Sequence, residues 1–174
     1  MTYKLLKTNI FPMDLDNLKR IATEKQSENK KFFQKLRKKP PKNLDYLTQE
    51  IHQQVAEEID CLSCANCCKT TGPLFTNTDI ERVAKHLKMK PKVFIEQYLY
   101  LDEDNDYIFQ QLPCPFLASD NYCLIYDIRP KACREYPHTD RTKLYQIAQL
   151  TIENTKICPI AHQVVELMKT KINR

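Results

Sequence analysis

Eight cysteines fall between positions 61 and 158, and none lies in the first 60 residues. Four of them crowd into "CLSCANCCKT" as Cys61, Cys64, Cys67 and Cys68; the others are Cys114, Cys123, Cys133 and Cys158. A two-residue gap lets a tight turn aim both thiolates at one centre, so Cys61-x2-Cys64-x2-Cys67 is metal-ligand spacing. Cys67 and Cys68 are adjacent, and neighbouring side chains diverge in most backbone conformations. The pair therefore serves two different centres, or one member is not a ligand. Eight thiols suffice for two four-thiolate sites, but spacing does not give the pairing.

Other chemistries of clustered thiols fit less well. Cys67 and Cys68 could bridge each other only through a strained ring, which argues against local disulfides. A thiol-redox pair needs one C-x-x-C at a helix N-terminus beside a strand. Here the preceding segment reads as a helix, and six cysteines would be left without a role. Free cysteine is also a common core residue, a reading that suits Cys123 in "NYCLIYDI" best. No Ser/His/Asp arrangement, phosphate loop or glycine-rich nucleotide motif points to a hydrolase, kinase or dehydrogenase.

The three cysteines in sequence match the start of a bacterial ferredoxin run, C-x2-C-x2-C-x3-C-P. The match then fails, because Thr71 holds the fourth position. Cys114-Pro115 and Cys158-Pro159 are the places where a distant Cys-Pro ligand would come from. Thiolate softness admits zinc and iron–sulfur alike. The spacing and the Cys-Pro pairs favour iron–sulfur slightly, and a closed four-thiolate zinc site is the alternative.

The elements that must position these thiols read as mainly helical. One glycine against ten prolines leaves few residues for left-handed turns, so helices should dominate. Residues 13–38 read as a polar helix with Leu15, Leu18, Ile21, Phe32, Phe33 and Leu36 as apolar contacts. "KKPPKN" stops it. A second helix over 43–60 carries the stripe Leu44, Leu47, Ile51, Val55 and Ile59 and delivers the chain into Cys61. Thr78 and Glu81 have capping-box spacing ahead of a short helix. Pro91 suits the first turn of the next, with Val93, Phe94, Tyr98 and Leu101 inward. "LDEDNDYIFQQL" reads as an acidic turn entering a strand, with "NYCLIYDI" as its partner. "RPKACREYP" fits one or two helical turns, residues 139–156 are undecided between helix and loop, and a last helix starts at Pro159. The expected fold is a small, irregular, mainly α domain around a cysteine-ligated centre, with at most one short β-hairpin. Residues 1–42 form an N-terminal helical segment and 43–174 the cysteine-cluster domain.

The net charge of +5 is spread along the chain. Its densest basic run, "KLRKKPPKN", reads as a solvated helix end rather than a nucleic-acid site. The N-terminal 20 residues lack a long apolar leader core, and no stretch approaches a membrane span. The expected setting is the cytoplasm, where reducing conditions favour metal chemistry over disulfides.

The combined pattern Cys61-x2-Cys64-x2-Cys67-Cys68, "DIERVAKHL", "LPCPFL" and "CLIYDIRPKACREYP" resembles the bacterial cysteine-cluster proteins of the YkgJ type, described as zinc- or iron-chelating domains. The resemblance covers about residues 60 to 160. It implies a metal site built from the four cysteines at 61–68 with Cys114, Cys123 and Cys133, Cys158 lying in the more variable tail. Larger relatives, a flagellin lysine methylase among them, carry a similar cluster associated with iron–sulfur. These 174 residues show no segment for a methyl-donor site, so that activity is not expected. Arg129 belongs to the "RPxxC" portion and reads as a cation beside a negatively charged thiolate centre, or else as a salt-bridge partner of Asp127 or Glu135. His138 is a candidate to replace a thiolate, though such a histidine is more often a surface residue. Two functional readings stand: a metal-chelating protein whose metal holds the domain together, and a redox enzyme or electron carrier using an iron–sulfur cluster.

Overall fold

The computed structural model describes residues 14–172; the reading of residues 1–13, including the absent leader core, lies outside them. The helices are α1 (Leu15–Glu24), α2 (Gln26–Lys38), α3 (Leu44–Glu58), α4 (Cys61–Cys64), α5 (Asn66–Thr70), α6 (Asn77–His86), α7 (Pro91–Tyr98), α8 (Lys131–Glu135), α9 (Ala148–Asn154) and α10 (Pro159–Ile172). Strands β1 (Leu99–Leu101) and β2 (Tyr107–Phe109) form a single antiparallel hairpin. Among the described residues the chain is mainly α with one short hairpin, in keeping with its glycine-poor composition.

Two apolar cores organise these elements. The first joins α2, α3, α9 and α10 through fully buried Phe33, Ile51, Ile152, Val164 and Met168. In α3 the stripe read from the sequence is the stripe that is buried, with Leu47 only partly covered. The second core joins α6, α7 and the hairpin through Phe75, Val83, Phe94, Phe109 and Phe116. Its aromatic rings meet mostly edge-on or tilted, as Phe75 and Phe109 do at 4.8 Å between centroids, while Phe94 and Phe116 stack. The chain passes from one core to the other through α4 and α5, so the cysteine-rich segment is the bridge between them.

Four local expectations change. The helix expected over 13–38 is two helices, because Lys25 has ψ −2° rather than the helical value and unwinds one turn. Its ammonium pairs with Glu166 of α10. The capping box of α6 is Thr76 with Asp79, two residues before the expected Thr78 and Glu81. The earlier box wins because the buried Asp79 carboxylate also accepts from Arg82 and from the Lys131 backbone N–H. Strand β2 pairs with β1, in the register Leu99↔Phe109, and not with "NYCLIYDI". The acidic turn closes that hairpin locally: Asp102 Oδ1 accepts the N–H groups of Asp104 and Asp106, while "NYCLIYDI" makes one bridge, Leu117↔Cys123, and a 3-10 turn at Tyr126–Ile128. Leu101 consequently lies on β1 and is exposed rather than inward. The undecided stretch is a 3-10 turn, Leu144–Ile147, followed by α9.

No helix among the described residues is long and apolar enough to cross a membrane.

Candidate metal centre

The cysteine segment is folded by caps rather than by core packing. Asp60 caps α4 by accepting the Leu62 N–H at 2.9 Å. Ala65 then takes a left-handed conformation, φ 48° and ψ 16°, between α4 and α5. A left-handed alanine costs roughly 1–2 kcal/mol, and here it turns the chain so that Cys67 comes back against Cys61. The Asn66 amide anchors the turn to the far end of the sequence, donating to the Ile157 carbonyl at 2.7 Å. The Cys114 N–H donates to the Cys68 carbonyl at 2.8 Å, which brings in the third cysteine-bearing segment. Asn121 ties on the fourth, through a 3.2 Å bond to the Ser63 carbonyl.

All eight sequence-predicted cysteines are brought into one region as free thiols, from exposed Cys61 to buried Cys158. The thiol of Cys67 sits against those of Cys61 and Cys68. These contacts, which favour Cys61 and Cys68 as thiolates, hold both pKa values below the ordinary thiol value, and Arg129 adds to the effect. Cys67, whose single S–H lies between the two and whose protonated form is favoured, is pushed up. Burial pushes Cys114 up to about 11 and Cys133 and Cys158 up to about 12. Burial likewise raises Cys64 and Cys123. No three His, Cys, Asp or Glu side chains among the described residues are set about one point at metal-binding geometry. The arrangement is a gathered pool of thiols, several of them kept neutral by burial.

Arg129 lies within electrostatic reach of Cys61, Cys68, Cys123 and Cys133. Its guanidinium stacks on the Tyr126 ring, 3.6 Å from the centroid, and its Nε donates to the Tyr126 carbonyl at 2.8 Å. Glu135 pairs with Lys131, and among the described residues no ion pair joins Arg129 to Asp127 or Glu135. His138 sits apart from the thiols in charge terms: burial lowers its pKa, and the charges it feels are those of Glu135, Arg141 and Asp140.

Tyr136 is the residue that sequence reasoning missed. Its hydroxyl is buried and has no hydrogen-bond partner. Burial raises its pKa, and the groups it faces are Cys158, Cys67, Cys61 and Cys64. Nothing in cysteine spacing marks it; the only sign was its place inside the "CREYP" stretch. A buried phenol without an acceptor is costly, and a thiolate among these neighbouring cysteines would supply one if a metal bound there. The donor set therefore fits a thiophilic metal. Eight thiols, an unpartnered O–H donor and a fixed cation lie around a region where negative charge would accumulate if a metal bound.

Residues 60–159 match the family model described as "CxxCxxCC: Putative zinc- or iron-chelating domain". No curated protein and no solved structure matches the chain.

Proposed function

Because the chain belongs to the CxxCxxCC family of zinc- or iron-chelating domains, we propose that its eight cysteines chelate iron as iron–sulfur, with zinc as the alternative metal, in a reducing cytoplasm. The observation that supports this reading is the buried, unpartnered Tyr136 hydroxyl facing four of the gathered thiols. When bound, the metal supplies a Lewis acid that holds thiolates deprotonated at neutral pH. The chain's residues do the rest. Cys61 and Cys68, already favoured as thiolates, would hold a metal most readily, and buried Cys114, Cys133 and Cys158 would need the metal's positive charge to lose their protons. Arg129 offsets the negative charge of a thiolate-rich centre from one side, held in place by the Tyr126 ring. Tyr136 donates to a bound thiolate from the other.

Iron–sulfur is favoured by the C-x2-C-x2-C spacing and by Cys-Pro at 114–115 and 158–159. No feature of the fold favours electron transfer to a partner over chelation itself. The test is purification without oxygen, followed by quantification of zinc, iron and acid-labile sulfide per chain. Iron with stoichiometric sulfide supports the iron–sulfur reading. Tightly held zinc in colourless protein replaces it with the zinc reading, and trace metal alone overturns both.

A further inference from the structure

Resting on that chelating reading, we infer that the eight thiols form two separate four-cysteine centres: Cys61, Cys64, Cys67 and Cys158 hold one metal centre, and Cys68, Cys114, Cys123 and Cys133 hold the other. The division follows the architecture. Cys158 is packed into the first core, whereas Cys114 and Cys123 pack against the second. The backbone repeats the split. Asn66 joins the 61–67 segment to Ile157, next to Cys158, and the Cys68 carbonyl takes the N–H of Cys114. Cys114 in turn accepts from Leu117, whose bridge partner is Cys123.

The adjacent pair is where the two centres part. Cys67 and Cys68 both lie on α5, and successive residues of a helix point about 100° apart. The Cys67 thiol meets that of Cys61 on α4, and the Cys68 backbone carbonyl meets residue 114. The neighbours of two further residues divide the thiols in the same way. Tyr136 faces Cys158, Cys67, Cys61 and Cys64, while the thiols around Cys133 are Cys68, Cys114 and Cys123. The two sets are close: Cys67 touches Cys68, Cys68 is within reach of Cys61 and Cys64, and Cys61 is within reach of Cys123. A single large centre spanning the pair is therefore the competing arrangement, and it makes a different count.

Cobalt(II) is the probe, titrated anaerobically into the reduced, metal-free full-length chain. Two centres predict a break at two equivalents, with thiolate-to-cobalt charge transfer and tetrahedral d–d bands of equal strength for each. Cys158→Ser and Cys133→Ser should each leave one equivalent with the full four-thiolate signature and weaken the other. A break at one equivalent, or loss of the whole signature in both variants, overturns the division and leaves chelation standing. No cobalt binding at all overturns chelation as well. A measurement on the unaltered chain guards against misfolding variants: alkylation at one equivalent of cobalt, read by mass spectrometry. Molecules carrying four labels should carry them on Cys68, Cys114, Cys123 and Cys133 or on the complementary four. Labels mixed across the two sets overturn the division.

Discussion

The backbone N–H of Cys114 donates to the carbonyl of Cys68 across 2.8 Å, joining two cysteines 46 positions apart in the sequence. That bond closes the cysteine segment onto the second core, on which Cys114 also packs. Thiol chemistry and fold stability are consequently coupled.

Serine at Cys61 or Cys64 should remove metal and destabilise the domain together. Neither residue is in a core cluster, so the metal-free chain should tolerate the change, within about 0.5 kcal/mol. The metal-loaded chain should lose several kcal/mol, since binding energy at such sites is folding energy of roughly 10 kcal/mol or more. Thermal unfolding with and without metal measures the difference. Equal destabilisation in both states would show that these thiols act in packing alone.

Tyr136→Phe separates the metal's acceptor role from ordinary packing. Without metal the phenol is a buried orphan, so its removal should be neutral or stabilising by about 1 kcal/mol. With metal, loss of the donor to a bound thiolate should weaken affinity about 10-fold. Competition against a chelator reads the second effect. Unchanged affinity would mean that the hydroxyl serves no bound thiolate.

Asp79 gives an acid-sensitive contribution away from the thiols. Burial pushes its carboxyl up, but hydrogen bonds from Thr76, Arg82 and the Lys131 backbone outweigh this and hold it below the usual value. A depressed folded pKa stabilises above the unfolded value of about 4 and is lost as pH falls through the folded one. Asp79→Asn should therefore lower stability at pH 7 by about 2–4 kcal/mol, because Arg82 loses its buried partner. The difference from the unaltered chain should shrink below pH 4. A pH-independent difference in denaturation midpoints would refute this account.

Phe94→Ala tests whether the second core supports the thiols that rest on it. Phe94 is fully buried among Phe75, Tyr98 and Phe116, so truncation should cost about 3–5 kcal/mol. Cys114 and Cys123 should become faster to alkylate in the metal-free chain, while Cys158, in the other core, should change little. Uniform acceleration at all three would mean that the cores do not act separately.

Several elements were legible because their causes are local. The α3 stripe from Leu44 to Ile59 is a period that only a helix buries on one side, and Pro91 starts α7 because its fixed φ suits a first turn. Other features depend on competition that the sequence leaves undecided. Two overlapping capping boxes lie before α6, and a carboxylate needed by Arg82 and Lys131 selects the first. For β2 the sequence suggested "NYCLIYDI" as partner, and the Asp102 turn instead makes the nearer β1 available. Arg129 had two acids, Asp127 and Glu135, two and six residues away, yet its guanidinium stacks on Tyr126.

By itself the sequence supplied the chemical material: eight soft thiols, three of them at metal-ligand spacing, in a helical chain with almost no glycine. Spacing along a chain restricts only near neighbours, so the residues between 68 and 158 left the arrangement of the thiols open. The tertiary structure decided which segments meet, through the left-handed Ala65, the Asn66–Ile157 bond and the Cys68–Cys114 bond. It also placed the hydroxyl of Tyr136 among the thiols, a contact between distant segments that no local pattern encodes.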